Sequence, residues 1–189
     1  DLETARRLFT LICVLHRRKS AMAATPSAVL FACTYNTVRS PMAEGILKSF
    51  KGQYIYVDSV GVCAGEPNGF MIEVMAEVEI DLSNHVPKTF QLLDDRSFDL
   101  VISLSPEAQH SAVELTRWMA CEVEYWPTLD PTILTGSREI RLNGYRSMRE
   151  NLFEKIRDRF ENSNFTEKST RIGKFDVTLS RPGIEQLLQ

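Results

Sequence analysis

AVLFACTYNTVRSPMAEGILK, residues 28–48, decides the expected fold. Ala28 to Ala32 is a short apolar run that reads as a buried strand, and it delivers Cys33 at its end. Five residues follow before Arg39 and Ser40. Pro41 then opens a segment whose apolar residues Met42, Ala43, Ile46, Leu47 and Phe50 recur at helical spacing. A strand, a short loop and a helix N-terminus make a place to hold an oxyanion, since first-turn N–H groups and the helix dipole both present positive potential there. The thiol of Cys33 is aimed at that place.

A cysteine followed six residues later by an arginine is common by itself; the strand before it and the Ser40-Pro41 helix start after it give it meaning. A loop of this length can curl its backbone N–H groups around a tetrahedral anion. Arg39 can grip two anion oxygens with its planar fork. The same donors favour a thiolate at Cys33, and a thiolate below a bound phosphate is an in-line nucleophile that forms a phosphocysteine. An inert strand-end thiol would not need such a loop. Cys13, Cys63 and Cys121 lack an arginine at this spacing.

Outward from this stretch, strand and helix patterns alternate. Tyr54 to Ser59 reads as a second strand, and Phe70 to Glu79 as a helix with Phe70, Met71, Val74, Met75 and Val78 on one face. Asp81 to Pro87 is a polar connector. Phe98 to Leu104 is an apolar third strand. Ser105-Pro106 then reads as an N-cap and first helical residue, with a helix running to about Met119. Cys121 to Trp126 is a fourth strand, Pro127 to Gly136 a loop, and about Ile140 to Phe160 a long helix. The expected fold is a single α/β domain: a four-stranded parallel sheet with helices on both faces. In such sheets ligands bind beyond the carboxyl ends of the strands, so the loops that follow strands should meet on one rim.

The chain has 189 residues, 43% apolar and 25% charged, with net charge -3. That suits one domain with a sizeable core plus extensions, and gives no electrostatic reason to expect nucleic-acid or membrane binding. Four cysteines without a CxxC pair argue against a disulfide framework and against zinc, so no metal or cofactor is expected, and the compartment expected is the reducing cytoplasm. Residues 1–24 are expected outside the fold: the apolar run Leu8 to Leu15 is too short to span a bilayer, and the basic residues after it do not suit a secretion signal. A short amphipathic anchor or partner helix is the rival reading there. Met22 would be a natural start for the folded part, taken as residues 25–161. Residues 162–189 read as a loosely attached tail, with a small add-on strand at Phe175 to Leu179 as the alternative.

Phosphate transfer needs a proton donor for the leaving oxygen, placed on another rim loop. Asp130, in Pro127-Thr128-Leu129-Asp130-Pro131 after the fourth strand, is the best candidate, although an Asp-Pro pair alone is usually a turn. Asp58 and Asp99 lie in or beside strands and read as structural; Asp94 and Asp95 read as a solvated helix end.

CTYNTVRSPMAE, residues 33–44, resembles the phosphate loop of the low-molecular-weight protein tyrosine phosphatases and the related thioredoxin-coupled arsenate reductases. The resemblance extends over most of Ser27 to Phe160, and includes Asp58-Ser59, Ile80 to Phe90 and the Asp130-Pro131 loop. It implies Cys33 as nucleophile, Arg39 as phosphate ligand, and Asp130 as general acid and then base. It implies a phosphate-binding loop of Thr34, Tyr35, Asn36, Thr37, Val38, Arg39 and Ser40. Asn36 matches the asparagine that holds the loop's strained conformation, Ser59 and His85 match its supporting partners, and Ser40 matches the hydroxyl that hydrogen-bonds the thiolate. The departures concern substrate. Tyr35 stands where glycine is usual, and Val38 where eukaryotic members carry a second loop cysteine. Thr132-Ile133 replaces the paired aromatics that flank a phosphotyrosine ring, and Val60 to Gly65 lacks the usual aromatic wall.

Three functions are in play. The first is a phosphomonoesterase acting on phosphotyrosine protein or a small aryl phosphate. The second is an arsenate reductase with thioredoxin as partner. The resemblance would put its resolving cysteines just after the third strand, where this chain has Leu104-Ser105-Pro106; Cys63 is the remaining candidate to approach Cys33. The third is a non-catalytic oxyanion or phosphoprotein binder, against which the presence of Asp130 counts.

Overall fold

Ala28–Cys33 forms strand β1, buried along its whole length, in a computed structural model that describes residues 25–93 and 97–161. The expectations for residues 1–24, for 162–189, for a strand at Phe175 to Leu179, and for Asp94 and Asp95 lie outside the described residues. Around β1 stand β2 (Tyr56–Gly61), β3 (Leu100–Ser103) and β4 (Glu122–Tyr125). All three pairings are parallel, in the order β2-β1-β3-β4. Each parallel step needs a crossover, and the helices supply it. They are α1 (Arg39–Lys51), α2 (Gly69–Ala76), α3 (Pro106–Leu115) and α4 (Arg138–Phe160). The architecture is the single α/β domain expected, with helices on both faces.

The alternation of β1 divides the core in two. Val29, Phe31 and Cys33 face the layer of α1, α2 and α4, among Met42, Ile46, Met71, Leu152 and their neighbours. Ala28, Leu30 and Ala32 face α3, against Ala108, Ala112, Phe98 and Val101. Small residues on that side let α3 lie close to the sheet. Because strand side chains have period two, this parity also places the thiol of Cys33 on the α1 face.

Several boundaries differ from the sequence reading, each for a local reason. The second strand begins at Tyr56, because Tyr54 and Ile55 still donate to Lys51 O in the turn that closes α1. Helix α1 begins at Arg39, so Pro41 is its third residue, inside the first turn where a missing N–H costs no hydrogen bond. Helix α2 stops at Ala76: Glu79 takes a left-handed conformation (φ 61°) and Ile80 N–H reaches Met75 O, a Schellman closure. Helix α3 ends at Leu115 and continues only as turns. Its expected start holds: Ser105 Oγ accepts from Ala108 N–H, with Pro106 at the first helical position. Phe50 lies half out of the core and meets Phe153 edge-on at 5.5 Å. No described helix is long and apolar enough to cross a membrane.

Asp58 and Asp99 hold structure, as expected. Asp58 pairs with Lys88 Nζ at 2.6 Å. Asp99 Oδ2 accepts from Ser27 Oγ (2.6 Å), Ser27 N–H (2.7 Å) and Ala28 N–H (3.1 Å), pinning the start of β1. These bonds, the Ser27 hydroxyl foremost, hold the Asp99 carboxyl below its usual range against a burial penalty. A lowered folded-state value means stability that is present above the unfolded carboxyl range and lost as pH falls through the folded value. Asp99→Asn is therefore expected to lower urea-unfolding stability at pH 7 by no more than about 1 kcal/mol, since the group is solvent-screened. Urea titrations as the pH drops below about 4 should show the difference from wild type closing.

Candidate active site

Residues 33–40 wrap a short loop between the end of β1 and the start of α1. Val38 is the N-cap of α1 and offers no side-chain cap. The first-turn N–H groups, which have no intrahelical acceptor, therefore remain for an anion. The loop closes over Gly61: a Cβ there would stand 2.8 Å from Asn36 N and from the Tyr35 carbonyl carbon, so only a glycine backbone permits this approach.

Asn36 sits at the centre of the loop, fully buried, with φ 53°. Asparagine tolerates that left-handed geometry better than most residues. Its Nδ2 donates to Ser59 Oγ (2.8 Å) and Ser40 Oγ (3.0 Å), and its Oδ1 accepts from Lys88 N–H (2.9 Å). His85 Nε2 lies 2.8 Å from Asn36 O; a carbonyl only accepts, so that ring nitrogen carries the proton. Ser59 Oγ donates onward to Glu44 Oε2 at 2.5 Å, and Glu44 pairs with Lys48. Asn36, Ser40, Ser59 and His85 are thus brought together as one hydrogen-bonded support beneath the loop.

Cys33 is buried. Its Sγ accepts from Asn36 N–H (3.3 Å) and lies 3.0 Å from Ser40 Oγ. Ser40 has one hydroxyl proton and a second acceptor in reach, Val60 O at 3.2 Å. Ionising Cys33 draws that proton to sulfur, because a charged acceptor makes the stronger bond.

Arg39, also buried, links the loop to the opposite side of the rim. Its Nη2 stands 2.9 Å from Asp130 Oδ2 and donates to Thr34 Oγ1 (3.0 Å), while Nη1 donates to Thr128 O (3.3 Å). Asp130 is held by its own turn: Oδ1 accepts from Thr132 N–H (3.0 Å) and Thr132 Oγ1 (2.7 Å), capping the short 3-10 turn Pro131–Ile133. The sequence-separated pair Arg39 and Asp130 therefore meets directly. Tyr35 is 52% exposed, and Val38 is buried in the core on the α1 side of the sheet. Leu129 and Ile133, at 88% and 73% exposure, project from the Asp130 loop.

Sequence reasoning placed Thr34 in the loop without its side-chain partners, and missed Glu107 altogether. Thr34 Oγ1 donates to Ser105 Oγ (3.1 Å) or Glu107 Oε2 (3.2 Å) while receiving Arg39. Glu107, second residue of α3, is a further carboxylate near the site. Its own backbone N–H, against a burial penalty, then the Thr34 and Ser105 hydroxyls and the charge of Arg39, hold its carboxyl below the usual range. Its position after Ser105-Pro106, on a loop leaving a strand, was the available signal. Cys63 is exposed, with its backbone N–H on Thr34 O at 2.9 Å, so it lies against the first residue of the loop. Cys121 is remote from it on the α3 side of the sheet. Among the described residues no three His, Cys, Asp or Glu are grouped to hold a metal ion.

A family model described as low molecular weight phosphotyrosine protein phosphatase matches residues 28–168. The chain is 31% identical over 137 residues to Arsenate reductase 2 of Staphylococcus saprophyticus, across 71% of this chain and 96% of that protein. A crystal structure of a low molecular weight protein tyrosine phosphatase from T. tengcongensis superposes with TM-score 0.59 at 27% identity, covering 74% of this chain and 98% of that one. An arsenate reductase in a phosphate-binding state superposes with TM-score 0.56 at 26% identity, covering 72% and 98%.

The Arg39–Asp130 contact means an incoming oxyanion must compete with a carboxylate for the guanidinium. Asp130→Asn is expected to tighten inorganic phosphate binding about tenfold at neutral pH, measured by titration calorimetry; unchanged affinity would show that the pair does not compete. Asn36→Ala removes three side-chain hydrogen bonds at a left-handed position. It is expected to cost about 2–4 kcal/mol of unfolding free energy and to weaken phosphate binding at least tenfold, by denaturant titration and calorimetry.

Proposed function

The chain belongs to the low molecular weight phosphotyrosine protein phosphatase family, and from that membership we propose that it is a cysteine-dependent phosphomonoesterase acting on phosphotyrosine or another aryl phosphate. The observation that carries this choice is the Asp130 carboxylate, 2.9 Å from Arg39 and on the same rim as the Cys33 thiol. An ester oxygen leaving phosphorus needs a proton, which Asp130 is placed to give; an arsenate oxygen displaced by a thiol needs one too, so the choice rests also on Ser105, which offers no thiol after β3.

In this reading the phosphate dianion displaces Asp130 from Arg39 and takes the guanidinium and loop N–H groups. Two negative charges beside Asp130 favour its neutral acid form. The Cys33 thiolate attacks phosphorus in line, the ester bond breaks, and Asp130 gives its proton to the leaving oxygen. Asp130, now a carboxylate, takes a proton from water; the water attacks phosphocysteine and releases phosphate and the thiolate. Ser40 steadies that thiolate in both states. The substrate proposed is a phosphorylated protein or small phosphate ester. The unit proposed to carry the activity is residues 25–161, in the reducing cytoplasm that a free catalytic thiol requires.

Arsenate reduction is the second reading. It is supported by relatives named arsenate reductase and by the exposed Cys63 beside Thr34. There the Cys33 thiolate would bond arsenic as one arsenate oxygen, protonated by a neighbouring acid or by solvent, leaves as water, and the Cys63 thiolate would then attack Cys33 sulfur. Arsenic leaves as arsenite with the two electrons, the two thiols become a disulfide, and a thioredoxin-type dithiol reduces it. Ser105, used as a helix cap after β3, supplies no thiol where that family branch is expected to carry its resolving pair.

Aryl phosphate turnover by wild type, lost at least a thousandfold in Cys33→Ser with phosphate binding retained, is the expected result. Asp130→Asn should lose about a hundredfold with a poor leaving group and far less with a good one. Turnover of arsenate with a Cys33–Cys63 disulfide, and none of any aryl phosphate, would replace the first reading by the second. Binding without either reaction would leave an oxyanion binder.

A further inference from the structure

Helix α4 carries Gly144 in its interior, between the buried Leu142 and Tyr145. Glycine weakens a helix there, because it loses the most backbone freedom on ordering and packs no side chain. Its neighbour across the gap accounts for it. A Cβ on Gly144 would lie 2.1 Å from Leu134 Cδ1 and 3.9 Å from Pro131 Cβ. The Leu134 side chain therefore lies on bare helix backbone, in a notch that any larger residue would fill.

Leu134 and Pro131 belong to the turn that presents Asp130. Asp130 caps Pro131–Ile133, Leu134 closes it with its N–H on Pro131 O at 3.2 Å, and Pro131 is buried. Leu129 and Ile133, at 88% and 73% exposure, stand farther out than Leu134, which is 40% exposed. A further tie between loop and helix is Lys155 Nζ on Pro127 O at 3.2 Å, three residues before Asp130. Between loop and helix lies a cleft of about 430 Å³, lined in part by Asp130, Leu134, Gly144 and Met148. A displaced Leu134 side chain therefore has room to move into that cleft. The carboxylate and this part of α4 also sense each other: burial pushes the Tyr145 phenol up, and the charge of Asp130 adds to it.

We propose that Gly144 is a positioning residue for Asp130: its notch seats Leu134, and the seated Leu134, with Pro131, sets where the carboxylate stands against Arg39. The kinetic consequence rests on the phosphatase reading; the geometry does not. A group that must sit within a fraction of an ångström of its productive place loses rate when its support shifts, even far from the chemistry.

Gly144→Ala, Leu134→Ala and the double variant, in the full chain, test this with phenyl phosphate (poor leaving group) and p-nitrophenyl phosphate (good leaving group). Expected is a loss of about five- to tenfold in kcat on phenyl phosphate for each single variant, and less than about twofold on p-nitrophenyl phosphate. The double variant should be no worse than Leu134→Ala, because one change fills the seat and the other removes its occupant, so both lose the same contact. The Tm of Gly144→Ala should not fall, since alanine favours the helix; a merely structural role would instead slow both substrates equally. Side-chain 15N–1H resonances of the Arg39 guanidinium supply a readout without turnover, expected to move toward those of Asp130→Asn in both single variants. Wild-type phenyl phosphate rates and wild-type Arg39 resonances in Gly144→Ala would overturn the proposal. If wild type hydrolyses neither ester, the phosphatase reading fails, and the Arg39 resonances alone decide the notch.

Discussion

The carboxamide of Asn36 donates to Ser59 and Ser40 and accepts from Lys88 N–H, in a residue with no solvent exposure and a left-handed backbone. Everything at the site depends on this. A loop that aims its N–H groups inward cannot use them to hold its own shape. The shape must come from bonds beneath, and a buried amide with all its partners satisfied is a rigid way to supply them. Glu44 and Lys48 extend the support along α1, and His85 reaches in from the connector before β3. The loop's shape is therefore held by hydrogen-bonding capacity drawn from elsewhere in the fold.

The Arg39–Asp130 pair joins the two halves of the rim. It is a useful contact for a resting enzyme because it is a breakable one: the guanidinium is held in a defined place, by Thr34 and Thr128 as well, until a better anion arrives. Exchange of one anion for another leaves the number of buried charges nearly balanced, which an unpaired Arg39 would not. In the phosphatase reading proposed above, the same exchange would put Asp130 beside the oxygen that needs a proton, making binding and acid catalysis two stages of one electrostatic rearrangement.

Around these residues the mouth exposes apolar side chains. Tyr35, Leu129 and Ile133 stand out from the two loops that meet at Arg39 and Asp130. Tyr35 occupies a position where a side chain points away from the loop's interior, so its bulk leaves the anion cradle intact while changing what stands at the entrance. The departures from the family pattern thus bear on the substrate that approaches, and the hydrogen-bonded support below bears on the chemistry.

The strand and helix order, the parallel sheet, the strand–loop–helix stretch around Cys33 and the cap at Ser105 were legible in the sequence because each rests on local periodicity or on a residue with one dominant physical use. Boundaries at Tyr56, Arg39 and Ala76 were not, since they are set by which backbone groups find partners in turns, here Lys51 O and Met75 O. Spacing also made Cys33 and Arg39 a pair. Only the tertiary structure decided that Asp130, ninety-one residues beyond Arg39 in the chain, meets its guanidinium, that Thr34 and Glu107 join them, and that Gly144 lies beneath Leu134. Those contacts arise from loops on different strands converging on one rim and from one helix crossing behind it. Sequence determines what each segment prefers locally; which segments face one another is decided by how the whole sheet buries its two faces.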